Sequence, residues 1–346
     1  MSGSGPVVVC VRGPSRSGKS TLCQALIGLL RERASVAWVK RTHHALDLPH
    51  KSSGRVWEES PAAMVVYSPD RLQVTVPPVS PEPEALLGAL PDSVDLVLLE
   101  THEYEPYPAI VSVALEPADG ERLLGRFALE TIPQEASRLA EAVFALLPRD
   151  LELARALRLA SRAHGGHDCA GIVLGTRLTL LGAAELGLAI PDREKRLIVT
   201  VETDRCAVDA VQALTGCTLG RRTLRYLDLG RLAATFFDQQ TGRAIRVAAR
   251  GDARDRVVEE PGEGHYAAQR RTYLELAAEE LFTVREVGFE LSPFDQPGRP
   301  RCRVVCAGCG EEVSDARHVR VEDRDYCRPC SAGVRVSMGI KRGVTP

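Results

Sequence analysis

Gly13-Pro14-Ser15-Arg16-Ser17-Gly18-Lys19-Ser20, followed by Thr21, constrains this chain more than any other stretch. It fits the phosphate-loop pattern of glycine, any four residues, glycine, lysine, then serine or threonine. Successive backbone N–H groups in such a loop, with the following helix N-terminus, form a nest for phosphate oxygens. Gly13 and Gly18 let the backbone approach that closely, and Ser15, Ser17 and Thr21 complete the nucleotide-binding set. Lys19 would place its ammonium on the β- and γ-phosphates, and the Ser20 hydroxyl would take one position of a bound Mg²⁺. The alternative, a solvated turn that matches by chance, has to explain the flanks. Residues 6–11 form an apolar run suited to a buried parallel strand, and residues 19–33 carry apolar side chains at helical spacing. Strand, loop and helix come in the order of an α/β P-loop NTPase domain.

Residues 35–40 predict a second strand that runs into Arg41-Thr42-His43-His44. Strand carboxyl ends face the ligand crevice in such sheets, which sets this pair near the phosphates, unless it is a plain solvated loop. Strands are expected at 63–67 and 72–76, and a helix near 84–90. The apolar run 94–100 ends in Glu100, where a phosphate-loop protein keeps the acid that holds Mg²⁺ through water or orients the attacking water. Glu100 is the catalytic candidate and Asp95 the reserve; a surface acid without chemistry is the other reading. A helix over 135–147 closes a first domain at residue 148, before Pro148-Arg149-Asp150.

These residues resemble the molybdopterin-guanine dinucleotide biosynthesis protein B (MobB) family, GTP-binding proteins of molybdenum cofactor maturation, over roughly residues 6–147. The phosphate loop, Lys40 with Thr42-His43-His44, Asp47, Lys51, Ser53, Arg55, Ser68-Pro69 and the strand ending in Glu100 carry the likeness. It implies GTP with Mg²⁺ and functional roles for His43, His44, Asp47, Lys51 and Arg55; catalysis is left open, with weak GTPase activity as one option. The chain departs from the family at His50-Lys51-Ser52, where Gly-Lys-Asp is usual, and at Thr101, where a glycine is expected.

A second domain is expected over 149–290. A helix over 151–163 leads into His164-Gly165-Gly166-His167-Asp168-Cys169, whose glycines allow a sharp turn that brings His167 and Cys169 to a common partner. A helix follows over 171–186 and a strand over 197–201. Cys206 falls at a helix start, where the dipole lowers a thiol pKa, and Cys217 just past that helix. About 11 residues at a rise of ~1.5 Å set them roughly 16 Å apart, so they cannot share one ion on a straight helix. His167 or Cys169 is then the expected companion of one of them; buried thiols without chemistry are the alternative.

Over roughly 155–250 the segment resembles the FmdE family, associated with formylmethanofuran dehydrogenase, on Gly166-His167-Asp168-Cys169-Ala170-Gly171, the run 202–220, and Asp228-Leu229-Gly230 with Thr241-Gly242-Arg243. The resemblance implies an α+β core with a histidine and cysteine cluster serving as a metal or active site. His167, Cys169, Cys206 and Cys217 are the candidates. Beyond a linker at 291–301, Cys306-Ala307-Gly308-Cys309 and Cys327-Arg328-Pro329-Cys330 form two Cys-x-x-Cys pairs, a strong structural Zn²⁺ signature. This segment, residues 302–346, resembles a treble-clef zinc finger, with Cys302 as a spare thiol.

Lys plus Arg (44) nearly balance Asp plus Glu (46), which argues against nucleic acid as a partner and against an anionic membrane surface. No run is long enough to span a bilayer, and a nucleotide loop alongside metal-type thiols fits a reducing, cytoplasmic setting. The leading expectation is a nucleotide-dependent accessory protein for biosynthesis or delivery of molybdenum or tungsten pterin cofactor, tied through the second resemblance to formylmethanofuran- or formate-dehydrogenase-type enzymes. Its partners would be a nucleotide, that cofactor and its biosynthetic proteins, with a homodimer left open. A small-molecule kinase and a zinc-finger regulator with a nucleotide switch are the alternatives.

Overall fold

The computed structural model describes residues 5–40, 64–70, 72–75 and 87–333, in two compact units, Met1–Arg162 and Ala163–Pro346. In the first unit, β1 (Val7–Arg12), β2 (Val36–Lys40), β5 (Leu96–Thr101), β6 (Ala109–Ser112) and β7 (Leu123–Phe127) form a parallel sheet in the order β2-β5-β1-β6-β7. Alternation along β1 sends Val9 and Val11 into one core with Leu22, Leu26 and Leu30 of α1 (Lys19–Leu30) and Leu139 and Val143 of α2 (Ile132–Phe144). Val8 and Cys10 enter a second core on the opposite face with Val97, Leu99 and Val111. Strand order reverses at β1, so the loop that leaves its carboxyl end opens at a topological switch point, where such sheets bind ligands. A separate hairpin pairs β3 (Met64–Tyr67) with β4 (Leu72–Thr75). The helix expected near 84–90 falls largely outside the described residues, as do His43, His44, Asp47, Lys51 and Arg55.

The division between units lies later than residue 148. Helix α3 (Leu151–Ala163) packs with the first unit because Arg155 and Arg158 both reach the buried Asp95, at 2.5–2.9 Å and 3.1 Å. A buried carboxylate requires such partners, and they are supplied from beyond the proline at 148.

The second unit is built on a mixed sheet in the order β12-β11-β10-β8-β9. Its strands are β8 (Leu197–Val201), β9 (Leu224–Tyr226), β10 (Ala233–Asp238), β11 (Ala244–Ala249) and β12 (Phe282–Glu286). Only β8 and β9 run parallel. The long helix α4 (Ala170–Leu186) lies on this sheet with Gly182 against the Phe236 ring, and α5 (Ala207–Thr215), α6 (His265–Glu275) and the one-turn α7 (Ala278–Leu281) complete the core. The carboxyl-terminal module has two hairpins, β13–β14 (Arg303–Val305, Glu312–Ser314) and β15–β16 (His318–Val321, Arg324–Cys327), then the short helix α8 (Arg328–Ser331). An α/β phosphate-loop unit, an α+β core and a small cysteine-bearing finger are thus all present.

Candidate functional site

The loop after β1 turns through Gly18, at φ 91°, into α1. Lys19 Nζ donates to the carbonyls of Gly13 and Pro14, both at 2.8 Å, and burial lowers its pKa. The Ser20 hydroxyl sits 2.9 Å from both carboxylate oxygens of Glu100. That contact follows from topology: β5 pairs with β1 in parallel, Val11 opposite Glu100, so the strand acid arrives beside the loop. Glu100 is 3% exposed and also accepts from Trp38 Nε1 at 3.2 Å, with Lys40 Nζ 3.0 Å away. A hydroxyl and a carboxylate this close fit the donor set of a hard cation such as Mg²⁺. Asp95 stands at the other end of the strand, roughly 17 Å along it, where it accepts from the Ser35 N–H at 2.9 Å and holds two arginines. Its surroundings are those of a structural clamp and not of a reserve catalytic acid.

In the second unit, His164, Cys169 and Cys206 bring their ligand atoms within 4.8 Å of one another. Cys169 and Cys206 precede the first turns of α4 and α5, and those helix starts meet because small residues line the contact. A methyl at Gly171 would stand 3.1 Å from the Cys206 Cβ and 3.6 Å from both sulfurs. The histidine of this cluster is His164, where the sequence pointed to His167. Gly165 and Gly166 both take positive φ, 72° and 79°, and fold the chain so that Cys169 returns to His164 while His167 stays exposed. His164 Nδ1 lies 2.7 Å from the Asp209 carboxylate, which fixes the ring and leaves Nε2 for a ligand. Asp209 lies on α5, three residues past Cys206, and nothing in its local sequence singles it out.

Cys217 takes no part in the cluster. It is 1% exposed, and its thiol donates to the Leu197 carbonyl at 3.4 Å. The Cys206 thiol pKa is raised, first by burial and then by the adjacent Cys169, so the helix-start effect expected to lower it is outweighed.

Cys306, Cys309, Cys327 and Cys330 form a second cluster within the same 4.8 Å limit. Cys309 and Cys327 sulfurs are 3.9 Å apart, close to the roughly 3.8 Å that a tetrahedral ion with ~2.3 Å bonds to sulfur imposes. Backbone N–H groups of Cys327 (3.2 Å) and Gly308 (3.4 Å) point at Cys306 Sγ, and such donation, with that of Cys327 foremost, brings its thiol down to about 6. The spare Cys302 is engaged elsewhere, accepting from Ala316 N–H at 3.1 Å.

Residues 8–123 match the family model of Molybdopterin guanine dinucleotide synthesis protein B, and residues 164–283 match that of FmdE, Molybdenum formylmethanofuran dehydrogenase operon. A probable S-adenosyl-L-methionine-binding protein of Archaeoglobus fulgidus is 36% identical over 99 residues, 28% of this chain and 27% of the relative, so the chain spans about a quarter of that protein's length. A tungsten formylmethanofuran dehydrogenase FmdE-like protein from Syntrophus aciditrophicus is similar at 24% identity, covering 50% of this chain and 89% of that one, with a TM-score of 0.33. A molybdopterin-guanine biosynthesis protein B structure is 25% identical over 40% of this chain and 98% of its own, TM-score 0.31. Bacillus subtilis MobB is 15% identical over 42% and 99%, TM-score 0.32.

Proposed function

We propose that this chain is a nucleotide-dependent accessory protein in the maturation or delivery of molybdenum or tungsten pterin cofactor. Its first unit binds GTP with Mg²⁺ and its second handles a metal or the metal centre of the cofactor. The carrying observation is the Ser20–Glu100 pair at the mouth of a complete phosphate loop, in the segment that matches the synthesis protein B family. The preference for GTP over ATP rests on that match.

In the matching FmdE segment, imidazole and two thiols suit zinc or related metals. Three protein donors leave a fourth position for an exchangeable ligand, whereas the four thiolates of the finger close a structural Zn²⁺ site. Glu100 would hold the Mg²⁺ or orient the attacking water, with slow turnover in the absence of a partner. None of the helices among the described residues is long and apolar enough to cross a membrane. A cytoplasmic setting follows from the dependence on nucleotide and on reduced thiols.

Lys19→Ala tests the reading. It removes the ammonium aimed at the β- and γ-phosphates, and GTP binding, followed by calorimetry, should fall by at least about a hundredfold. Unchanged affinity would sink the assignment.

A further inference from the structure

Lys40 closes β2, and its register partner on β5 is Glu100. Its ammonium lies 3.0 Å from Glu100 Oε1 and 3.3 Å from Ser20 Oγ, the two groups suited to Mg²⁺. With Lys19 beside them, two ammonium groups face one carboxylate among the described residues, and the two lysines oppose each other's charge. A divalent cation arriving alone would find its carboxylate already paired with a lysine, and a second ammonium close by. Triphosphate would change this balance, because its oxygens would offer Lys40 a new anionic partner and so leave Glu100 and Ser20 to hold a metal. The Lys40 side chain is 41% exposed, so its flexible stem is free to make that exchange.

We propose that Lys40 is the resident counter-ion of the Mg²⁺ site and a second phosphate-directed cation, so that Mg²⁺ enters only together with nucleotide. This rests on the nucleotide-site reading above. It makes Lys40 the residue that prevents idle occupation of the site by metal.

Trp38 reports on the exchange, because its indole N–H donates to Glu100 at 3.2 Å. Trp57→Phe leaves Trp38 as the sole indole of a chain with two tryptophans. In that full-length background, MgCl₂ alone at millimolar concentrations should leave the emission unchanged. Adding Lys40→Met should produce a saturable response with apparent Mg²⁺ affinity at least about tenfold tighter. With EDTA present, the same variant should bind metal-free GTP about tenfold more weakly, and Lys40→Arg should restore most of the loss because it keeps the charge. Equal responses of the two proteins to Mg²⁺ alone, or equal silence, with GTP binding intact, would overturn the role of Lys40. If the background protein binds no GTP at all, the nucleotide-site reading itself fails, and this inference fails with it.

Discussion

Asp238 shows how one residue sets the pH range of the second unit. It is 1% exposed, receives Arg196 through two bonds of 2.7 Å, and also accepts from the Thr241 hydroxyl at 2.7 Å and the Gln240 N–H at 3.0 Å. The Arg196 hydrogen bonds hold its carboxyl well below the usual carboxylate range. Glu202, paired with Arg246 at 2.6 and 2.7 Å, is shifted in the same direction. A carboxyl whose folded pKa is depressed contributes stability that is complete above its unfolded value, near 4, and is lost as pH falls toward the folded value. The thermal midpoint of the second unit should therefore drop between pH 5 and pH 3. Asp238→Asn should cost this unit about 2 kcal/mol at pH 7, less than for a fully buried pair because Arg196 is 37% exposed, and should flatten the acid slope. Thermal scans across that range, with and without the substitution, measure both effects; an unchanged slope in the variant would refute the assignment.

At the level of elements, two glycines in two helices should respond to alanine with opposite signs. A methyl on Gly182 of α4 would fall 2.3 Å from carbons of the fully buried Phe236 ring, so Gly182→Ala forces the helix off the sheet and should cost about 1–3 kcal/mol. Gly28 of α1 is exposed and has nothing within 4 Å of the same position, so Gly28→Ala should stabilise the first unit by about 0.5–1 kcal/mol. Urea unfolding of each variant decides both, and a neutral Gly182→Ala would show that the helix–sheet contact is loose. The same close packing governs the His164–Cys169–Cys206 cluster, since the helix starts that carry Cys169 and Cys206 meet across Gly171.

On the scale of the whole molecule, the two clusters should behave differently toward chelators. The purified chain should carry about two metal ions, and EDTA should strip the His164–Cys169–Cys206 site at least about tenfold faster than the four-cysteine site, because three donors leave one position open to an incoming ligand. If the proposed function holds, Cys309→Ser should release the metal ion of the four-cysteine site and unfold that module while leaving nucleotide binding by the first unit intact, since so small a core would depend on its metal. Elemental analysis over a chelation time course, with circular dichroism of the variant, tests this; a folded finger in metal-free protein would contradict it.

What the sequence determined by itself are the features that a local rule encodes. The phosphate loop needs its glycines, lysine and serine at fixed spacing, α1 shows its buried stripe at Leu22, Leu26 and Leu30, and the finger needs two short knuckles, so each is readable within about 20 residues. Tertiary structure decided the rest. Strands β10 (Ala233–Asp238) and β11 (Ala244–Ala249) lack a clean apolar–polar alternation, and they become strands through antiparallel registers with each other and with β8 and β12 that no local periodicity reveals. Asp95 could be separated from Glu100 only when the parallel register with β1 put one carboxylate at the loop and the other at the far end of the strand. The choice of His164 over His167 rested on two left-handed glycines and on an aspartate that α5 presents 45 residues away in sequence, a contact that exists only after the two helices have packed.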